Sequence, residues 1–212
     1  MLEALLLHGM EIDILHPLRH TTALMEATRL GQTGMVQWLL ERGATPALLC
    51  GIPLGTPLHC ALRRQQWGIA TLLLDHMETA ALFDGYGCTP LHIVCMEAQQ
   101  LAKDAQTLLT LVGTLIEKTC PMDALDHEGT TALHHCVIND ATALAELLLA
   151  HGANANALIP DTGVSPLMIA ALEKNVTMAQ LLVRYGADVH LRTREGATPA
   201  HIYPALARLA TV

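Results

Sequence analysis

The apolar residues of this chain fall in short blocks at helical spacing, and polar residues mark where each block starts and stops. A first Leu/Ala-rich block begins at a Thr or Ser, usually followed by Pro, and a second block ends in a Leu-Leu pair shortly before a Gly. A hydroxyl side chain caps a helix N-terminus, Pro fits the first helical position, and Gly adopts the left-handed conformation that ends a helix. The pattern therefore predicts pairs of short helices.

The phrase that opens each pair returns along the chain at a nearly constant spacing. Its copies start at Thr22, Thr56, Thr89, Thr131, Ser165 and Thr198. Successive starts lie 34, 33, 42, 34 and 33 residues apart, and Gly43, Gly152 and Gly186 each follow a start by 21 residues. Since neither helix of a pair can bury its apolar face alone, neighbouring pairs must stack to form the core.

The phrase, read most clearly in Thr56-Pro-Leu-His and Thr89-Pro-Leu-His, resembles the ankyrin repeat in both sequence and period. The resemblance covers essentially the whole chain and implies an all-α ankyrin-repeat solenoid of helix-turn-helix units with β-hairpin-like loops. We expect a single domain over residues 1–212. Its expected units are a half-repeat at 1–16, full repeats at about 17–50, 51–83, 84–125, 126–159 and 160–192, and a partial repeat at 193–212.

The terminal units each lack one helix of the pair. Solenoids need polar terminal caps, so the chain is either part of a longer array or a protein with improvised caps. Tyr203-Pro204 would stop the last inner helix, which favours an improvised cap at that end.

The third full unit carries nine extra residues between its two helices, because Thr119 follows Thr89 by 30 residues instead of 21. The segment Cys95–Leu111 contains good helix formers and neither Gly nor Pro. It would either lengthen the helices by about two turns, at 3.6 residues per turn, or form a tolerated surface insertion. We favour the insertion, because lengthening a surface loop costs little stability.

Composition excludes several functional classes. The 12 Lys and Arg residues against 20 Asp and Glu residues give a net charge of −8, which argues against nucleic-acid binding. The uncharged stretch 43–62 is interrupted by three Pro and three Gly, so we expect no membrane span, and the N-terminus has no basic leader typical of a signal peptide. The six cysteines form no C-x-x-C pair, which predicts reduced thiols in the cytoplasm or nucleus.

The histidines and cysteines do not combine into a recognisable reactive site. His59, His92, His134 and His201 share the fourth position of the phrase. The ankyrin resemblance implies that this His is structural and hydrogen-bonds to the phrase's Thr and to the neighbouring loop backbone. No spacing typical of a zinc site, a nucleophile with its base or a phosphate loop is found, so we expect no metal, no cofactor and no enzymatic activity.

The resemblance instead implies a partner-binding surface on the concave face, made of hairpin tips and the exposed side of the first helices. Among the residues seven and eight positions after each Thr or Ser, the candidate contacts are Arg29, Arg63, Arg64, Met96, Glu97, Ile138, Asn139, Leu172 and Glu173. The hairpin tips add Arg19, Tyr86, His127, Glu128, Arg194 and Glu195. The groove is therefore expected to be basic over its first units and apolar with acidic flanks afterwards.

Two interpretations of the apolar positions stay open. Met96, Ile138 and Leu172 either form the upper edge of the core or a continuous strip that contacts a partner, since a strip rimmed by charge is typical of interfaces. We interpret the chain as a monomeric, non-enzymatic scaffold or adaptor that binds an extended or helical segment of another protein, with the arginines selecting an acidic stretch. The alternative is a regulatory or substrate-recruiting region of a larger ubiquitin ligase, acyltransferase or kinase.

A further hypothesis concerns modification of the loops. Asn156 follows Leu148 by eight residues in a context that resembles the ankyrin hairpins in which Asn β-hydroxylation occurs, and His190 is the equivalent residue one unit later. The simpler interpretation is an unmodified Asn that hydrogen-bonds to turn backbone.

Overall fold

The computed structural model describes residues 11–51, 55–97 and 105–205, and these residues fold into a stack of short helices. The N-terminal half-repeat therefore lies mostly outside the described residues, as do the last seven residues of the expected partial repeat. The helices are α1 Ala23–Arg29, α2 Thr33–Glu41, α3 Pro57–Arg63, α4 Trp67–Asp75, α5 Pro90–Met96, α6 Ala105–Glu117, α7 Ala132–Ile138, α8 Thr142–Ala150, α9 Pro166–Leu172, α10 Val176–Arg184 and α11 Pro199–Ile202.

Each first helix begins where the phrase predicts. The phrase hydroxyl accepts a hydrogen bond from the backbone N–H three residues later at Thr22, Thr89, Thr131, Ser165 and Thr198. Pro occupies the first turn of α3, α5, α9 and α11, where its missing N–H leaves no helical carbonyl unpaired. Local sequence alone thus fixes the start of these helices.

The helices form two layers. The odd-numbered helices α1 to α11 pack side by side as an inner layer, and α2, α4, α6, α8 and α10 pack behind them as an outer layer. Buried Leu, Ala, Val, Ile and Met side chains join all units into one continuous core. Because the main helix contacts are within a unit and between neighbouring units, the observed packing is that of a solenoid.

A short hairpin precedes each inner helix. Backbone hydrogen bonds close these hairpins at Asp84–Cys88, Asp126–Thr130, Ile159–Val164 and three equivalent pairs. Consecutive hairpins also touch, since the His127 N–H donates to the Tyr86 carbonyl at 3.0 Å. Gly129 has φ +75°, and a Cβ there would lie 2.7 Å from Pro160 Cδ, so Gly is needed for this close approach. The described residues contain one isolated bridge, Cys50 to Gly55, in place of regular strands.

Part of the nine-residue excess of the third unit lies in its outer helix. Helix α5 keeps the seven residues of other inner helices, whereas α6 has 13 residues against nine in the other outer helices. An extension of the inner helix is therefore not observed, and the outer helix gains about one turn. The remaining extra residues fall between Met96 and Ala105, where residues 98–104 lie outside the described part of the chain.

Thr119 follows the lengthened outer helix at the position that Gly43, Gly152 and Gly186 occupy in three other units. Its backbone has φ +60°, in the left-handed region that a β-branched residue seldom adopts. Its N–H donates to the Ile116 carbonyl at 2.9 Å, and its hydroxyl lies 3.1 Å from that of Thr79 in the preceding unit. Side-chain contacts with a neighbouring unit therefore accompany the strained turn.

Candidate functional site

The predicted apolar positions differ in exposure. Ile138 and Leu172, at equivalent places in α7 and α9, expose 48% and 59% of their surface. Met96, one unit earlier, is half-buried and packs against the core. We call these three residues the inner-helix strip. The core-edge interpretation thus suits Met96, whereas Ile138 and Leu172 present apolar surface to the outside.

The predicted basic positions of the first unit share a carboxylate. Both Arg29 Nε and Nη2 donate to Glu26 Oε2, at 2.9 and 2.7 Å, and Arg19 Nη1 lies 3.7 Å from the same oxygen. The hydrogen bond from Arg29 lowers the pKa of Glu26 below its usual value. Arg29 is therefore already paired within the protein, and the exposed Arg19 contacts the same acidic group.

Arg63 has a structural contact that sequence reasoning did not anticipate. Its Nη2 donates to Asp84 Oδ2 at 2.5 Å, and its guanidinium lies 5.7 Å from the centre of the Tyr86 ring. The Asp84 side chain is fully buried, while the Arg63 side chain is 34% exposed. Arg63 therefore joins α3 to the next hairpin, whereas the adjacent Arg64 is exposed.

Two polar residues of the predicted surface also bridge units. Gln65 Nε2 donates to Glu97 Oε2 at 3.0 Å, from one unit to the next. The Asn139 side chain donates to the backbone carbonyls of Cys95 and Met96, at 3.0 and 3.2 Å. Asn139 thus satisfies carbonyls at the C-terminal end of α5, which have no partner inside the helix.

The hairpin-tip residues lie on the outside of the stack. Exposed residues at these tips are Tyr86, His127, Glu128, Glu195, Arg194 and Arg19. Arg194 is held by two contacts to the preceding hairpin, because its N–H donates to Thr162 O and its Nη2 donates to Pro160 O. Glu173 is exposed at the end of α9. The tips are therefore ordered by backbone contacts and leave their side chains accessible.

The phrase histidines make the predicted contact with the phrase threonine. The N–H of Thr131 donates to His134 Nδ1 at 3.1 Å, and the two side chains lie 2.8 Å apart. His59, His92 and His201 repeat this arrangement. Since Nδ1 accepts a hydrogen bond, the neutral ring carries its proton on Nε2.

The predicted contact to the neighbouring loop is short for one of these rings and longer for two others. His92 Nε2 lies 3.1 Å from the Thr130 carbonyl of the next hairpin. Nε2 of His59 and of His134 makes no hydrogen bond of standard geometry, but the loop backbone at Cys88 and at Val164 interacts with these rings and partly offsets the effect of burial on their pKa. Burial lowers the pKa of His59 and of His134 to about 4 and also lowers that of His92. These three rings are therefore neutral at physiological pH, and their role is to stabilise the fold.

A second buried network lies at the hairpin of the fourth unit. Asp126 Oδ2 accepts from the Thr130 hydroxyl at 2.7 Å and lies 2.9 Å from His135 Nε2. Burial by itself would raise the pKa of Asp126, but the hydrogen bonds from Thr130 and His135 outweigh it and lower the pKa to about 2. The His135 ring meets His92 edge-on, with ring centres 5.8 Å apart. The Asp126 carboxylate, the Thr130 hydroxyl and His135 Nε2 are partners of one another, which explains their burial without invoking a ligand.

Asn156 is tied into the next loop. Its side chain donates to the Gly186 carbonyl at 2.9 Å and accepts from the Asp188 N–H at 2.7 Å. His190 is exposed, and its N–H donates to Asp188 Oδ1 at 2.8 Å. The Asn side chain thus satisfies turn backbone, as the simpler interpretation predicts, and hydroxylation of Asn156 or His190 stays a prediction that peptide mapping of cell-derived protein can test.

An exposed apolar row on the hairpins escaped the sequence analysis. The residue just before each hairpin-closing pair is Leu15, Leu49, Phe83, Leu125 or Leu158 in five consecutive hairpins, with 40% to 63% of each exposed. We call these five residues the hairpin row. They were missed because the hairpins differ by one residue in length, so counting a fixed number of residues back from the phrase threonine does not reach equivalent positions in every hairpin.

Within the described residues, no group of three His, Cys, Asp or Glu side chains is arranged to hold a metal ion. All six cysteines are free and buried. Among the described helices, none has the length and apolar character needed to cross a membrane.

Comparison with known proteins identifies the repeats. A model of three ankyrin repeats matches residues 100–193, and a single ankyrin repeat model matches residues 19–50. The B-cell lymphoma 3 protein homolog of Mus musculus is 28% identical over 146 residues, which cover 69% of this chain and 32% of that protein. The NF-kappa-B p105 subunit of Gallus gallus is 30% identical over 148 residues, which cover 69% of this chain and 14% of that protein.

A solved structure shows the same architecture. The ankyrin repeat domain of Bcl-3, described as a unique member of the IkappaB protein family, superposes with a TM-score of 0.73 at 26% identity. The match covers 87% of this chain and 80% of that domain. The chain thus resembles four-fifths of a solved repeat domain, while its matched part spans about a third or less of the two full-length relatives.

Proposed function

Because this chain belongs to the ankyrin repeat family, we propose that it is a non-enzymatic protein–protein interaction module that binds a partner segment on its concave surface. The repeats preorganise the surface, so little ordering entropy is lost on binding. The partner is another protein, which presents an extended or helical segment, and the chain acts as a monomeric scaffold or adaptor.

The observation that carries this proposal is the exposure of Ile138 and Leu172 at equivalent positions of neighbouring inner helices. Buried core residues at adjacent positions, such as Val137 and Ala171, are 1% exposed. Burying half of a Leu or Ile side chain against a partner would contribute roughly 1 kcal/mol. Two such residues in register supply a small apolar centre for an interface, surrounded by the polar residues Asn139 and Glu173.

The basic residues of the first units support selection of an acidic stretch. Arg19, Arg29, Arg63 and Arg64 provide four positive charges against the carboxylates of Glu26 and Asp84. Two positive charges therefore remain in excess. Arg64 is the best candidate for partner contact, because it is exposed and next to Arg63, which Asp84 holds in place.

The six buried, free cysteines are compatible with a reducing compartment, and we propose the cytoplasm or nucleus as its location. The proposed binding surface consists of the inner-helix strip, Arg64 and the exposed hairpin tips, including Tyr86, Glu128 and Glu195.

The test is affinity capture from cell extract with quantitative mass spectrometry, comparing the wild-type chain with the double variant Ile138→Ser/Leu172→Ser. A matched control is Met35→Ser/Val176→Ser, because Met35 and Val176 are 39% and 40% exposed on outer helices. The proposal expects partners that are retained by the control and lost by the strip variant, with melting curves unchanged. Equal capture by all three proteins would count against the concave surface.

A further inference from the structure

Three sulfur-containing side chains pack together between the first two inner helices. Met25 of α1, Cys60 of α3 and Cys50 of the hairpin before α3 form a buried cluster that is separate from the continuous core. The other four cysteines lie in the continuous core among Leu, Val and Ala side chains. We call Met25, Cys50 and Cys60 the sulfur cluster. It contains two thiols and one thioether and no other kind of side chain.

This set of donor atoms fits a soft metal ion. Thiolates together with thioethers select Cu(I), whereas structural zinc sites are tetrahedral and take Cys, His, Asp or Glu ligands. In the described part of the chain, no three side chains of those four types are grouped in a way that could hold a metal. A Met side chain is unbranched and adaptable, so its sulfur can turn toward a bound ion. The sulfur cluster therefore matches Cu(I) and does not match zinc.

Polar groups beside the two thiols favour their deprotonated forms. Thr22 Oγ1 lies 3.8 Å from Cys50 Sγ, so its hydroxyl can donate to a thiolate there, and the Cys50 thiol itself donates to Leu48 O at 3.5 Å. Burial raises the pKa of the Cys60 thiol, while the charge of Arg64 and a hydrogen bond from it oppose that rise. Because a thiol must lose its proton to bind a metal, these neighbours support a bound ion.

The sulfur cluster is also within reach of solvent. Cys50 lines an open groove together with His20, Gly51 and Gly55. Cys95 and Cys136, by contrast, hydrogen-bond to each other in the continuous core and are both 0% exposed. A metal site needs an entry path, and the groove provides one to Cys50.

We propose that Met25, Cys50 and Cys60 bind one Cu(I) ion. Binding breaks the two S–H bonds, releases both protons to solvent and forms Cu–S bonds to two thiolates and one thioether. Neither copper nor sulfur changes its oxidation state. The resulting site carries a single negative charge, and Arg64 supplies a positive charge beside it. The ion would join α1 to α3, which adds a metal site to a chain whose proposed function requires none.

The experiment is a titration of the reduced protein with Cu(I) in oxygen-free buffer, with the coloured Cu(I) chelator bicinchoninate as competitor. We expect one tightly bound Cu(I) per chain. The Kd should rise about a hundredfold or more for Cys60→Ala and about tenfold for Met25→Leu. The matched control Cys95→Ala removes a buried thiol outside the cluster and should keep the Kd within about twofold. Met25→Leu nearly conserves side-chain volume, so it tests the site even if Cys60→Ala does not fold.

Two further measurements follow from a metal held by sulfur between two helices. Cu(I) should raise the melting temperature of the wild type and of Cys95→Ala more than that of Met25→Leu, because a ligand that binds the folded state stabilises it. X-ray absorption spectroscopy should show sulfur alone in the first coordination shell of copper.

The assignment would be overturned by failure of the wild type to take Cu(I) from the chelator, by equal Kd values for the wild type and Met25→Leu, or by loss of binding in Cys95→Ala. Zn(II) bound as tightly as Cu(I), or nitrogen and oxygen in the copper shell, would also overturn it. None of these results affects capture of a partner by the inner-helix strip, so the failure of one proposal is distinguishable from the failure of the other.

Discussion

The hairpins of the third and fourth units place an aspartate at the same position and hold it differently. In both, one carboxylate oxygen accepts hydrogen bonds from two backbone N–H groups, at 2.8 to 2.9 Å. Asp84 Oδ1 accepts from Tyr86 and Cys88. Asp126 Oδ1 accepts from Glu128 and Thr130. The second oxygen of Asp84 binds Arg63 of the preceding unit, whereas that of Asp126 binds Thr130 and His135 of its own unit.

The difference determines how each hairpin is joined to the unit before it. The Asp84 hairpin is joined by a permanently charged guanidinium, and the Asp126 hairpin by neutral His92, whose Nε2 contacts the Thr130 carbonyl. The same repeat position therefore supports an ionic connection in one place and a neutral one in the next. The ionic connection should respond to charge reversal, and the neutral connection to acid.

The largest expected effect is on the ionic connection. Arg63→Glu would place a carboxylate beside the buried Asp84, and we expect the free energy of unfolding to fall by about 3 kcal/mol. This value is at the lower end of the range for breaking a buried ion pair, because the Arg63 side chain is a third exposed. Urea denaturation measures this. The control Arg64→Glu, at an exposed residue, should change stability by no more than about 0.5 kcal/mol. Equal destabilisation by both would show that Arg63 does not join the units.

The neutral connection should have a smaller effect on stability. Both His92→Ala and His134→Ala remove the acceptor of a threonine N–H, and each should cost about 1–3 kcal/mol in thermal or chemical unfolding. His92→Ala should cost more, because it also loses the 3.1 Å contact to Thr130 O, whereas Nε2 of His134 makes no hydrogen bond of comparable geometry. Partner affinity of the folded variants should not change, and a loss of binding without a loss of stability would contradict the structural role.

Acid should weaken the protein through the same rings. Unfolded histidines bind protons near pH 6.5, whereas His59 and His134 resist protonation until about pH 4. Between these values the unfolded state binds more protons, so stability falls as pH falls. His134→Gln should reduce the slope of unfolding free energy against pH by up to about 1.4 kcal/mol per pH unit. A second loss is expected between about pH 3.8 and pH 2, where Asp126 is protonated in the unfolded state but stays ionised in the folded state until its pKa of about 2.

Most of the fold could be predicted from sequence, because its signals are local. Thr131 caps α7 within three residues, and the repeat spacing defines which helices stack. The role of Arg63 could not be predicted, because its partner Asp84 is 21 residues away and their meeting depends on how one unit packs on the next. The same holds for Asn139, whose contacts to Cys95 and Met96 span more than 40 residues.

The arginine pair gives the last and smallest expected effect. Arg63 is bound to Asp84, but Arg64 is exposed beside it, so Arg64→Glu should act on binding with little change in stability. Exposed charges mainly affect the rate of association, and we expect the association rate of an identified partner to fall about threefold to tenfold at low salt. Surface plasmon resonance at two ionic strengths measures this, and the difference from wild type should shrink at 0.5 M salt, where the Debye length is below about 5 Å.

The outer-helix variant Arg42→Glu is the control and should leave the association rate unchanged. A change confined to the dissociation rate, with no salt dependence, would mean that Arg64 makes a close contact in the complex and does not steer the partner through its charge.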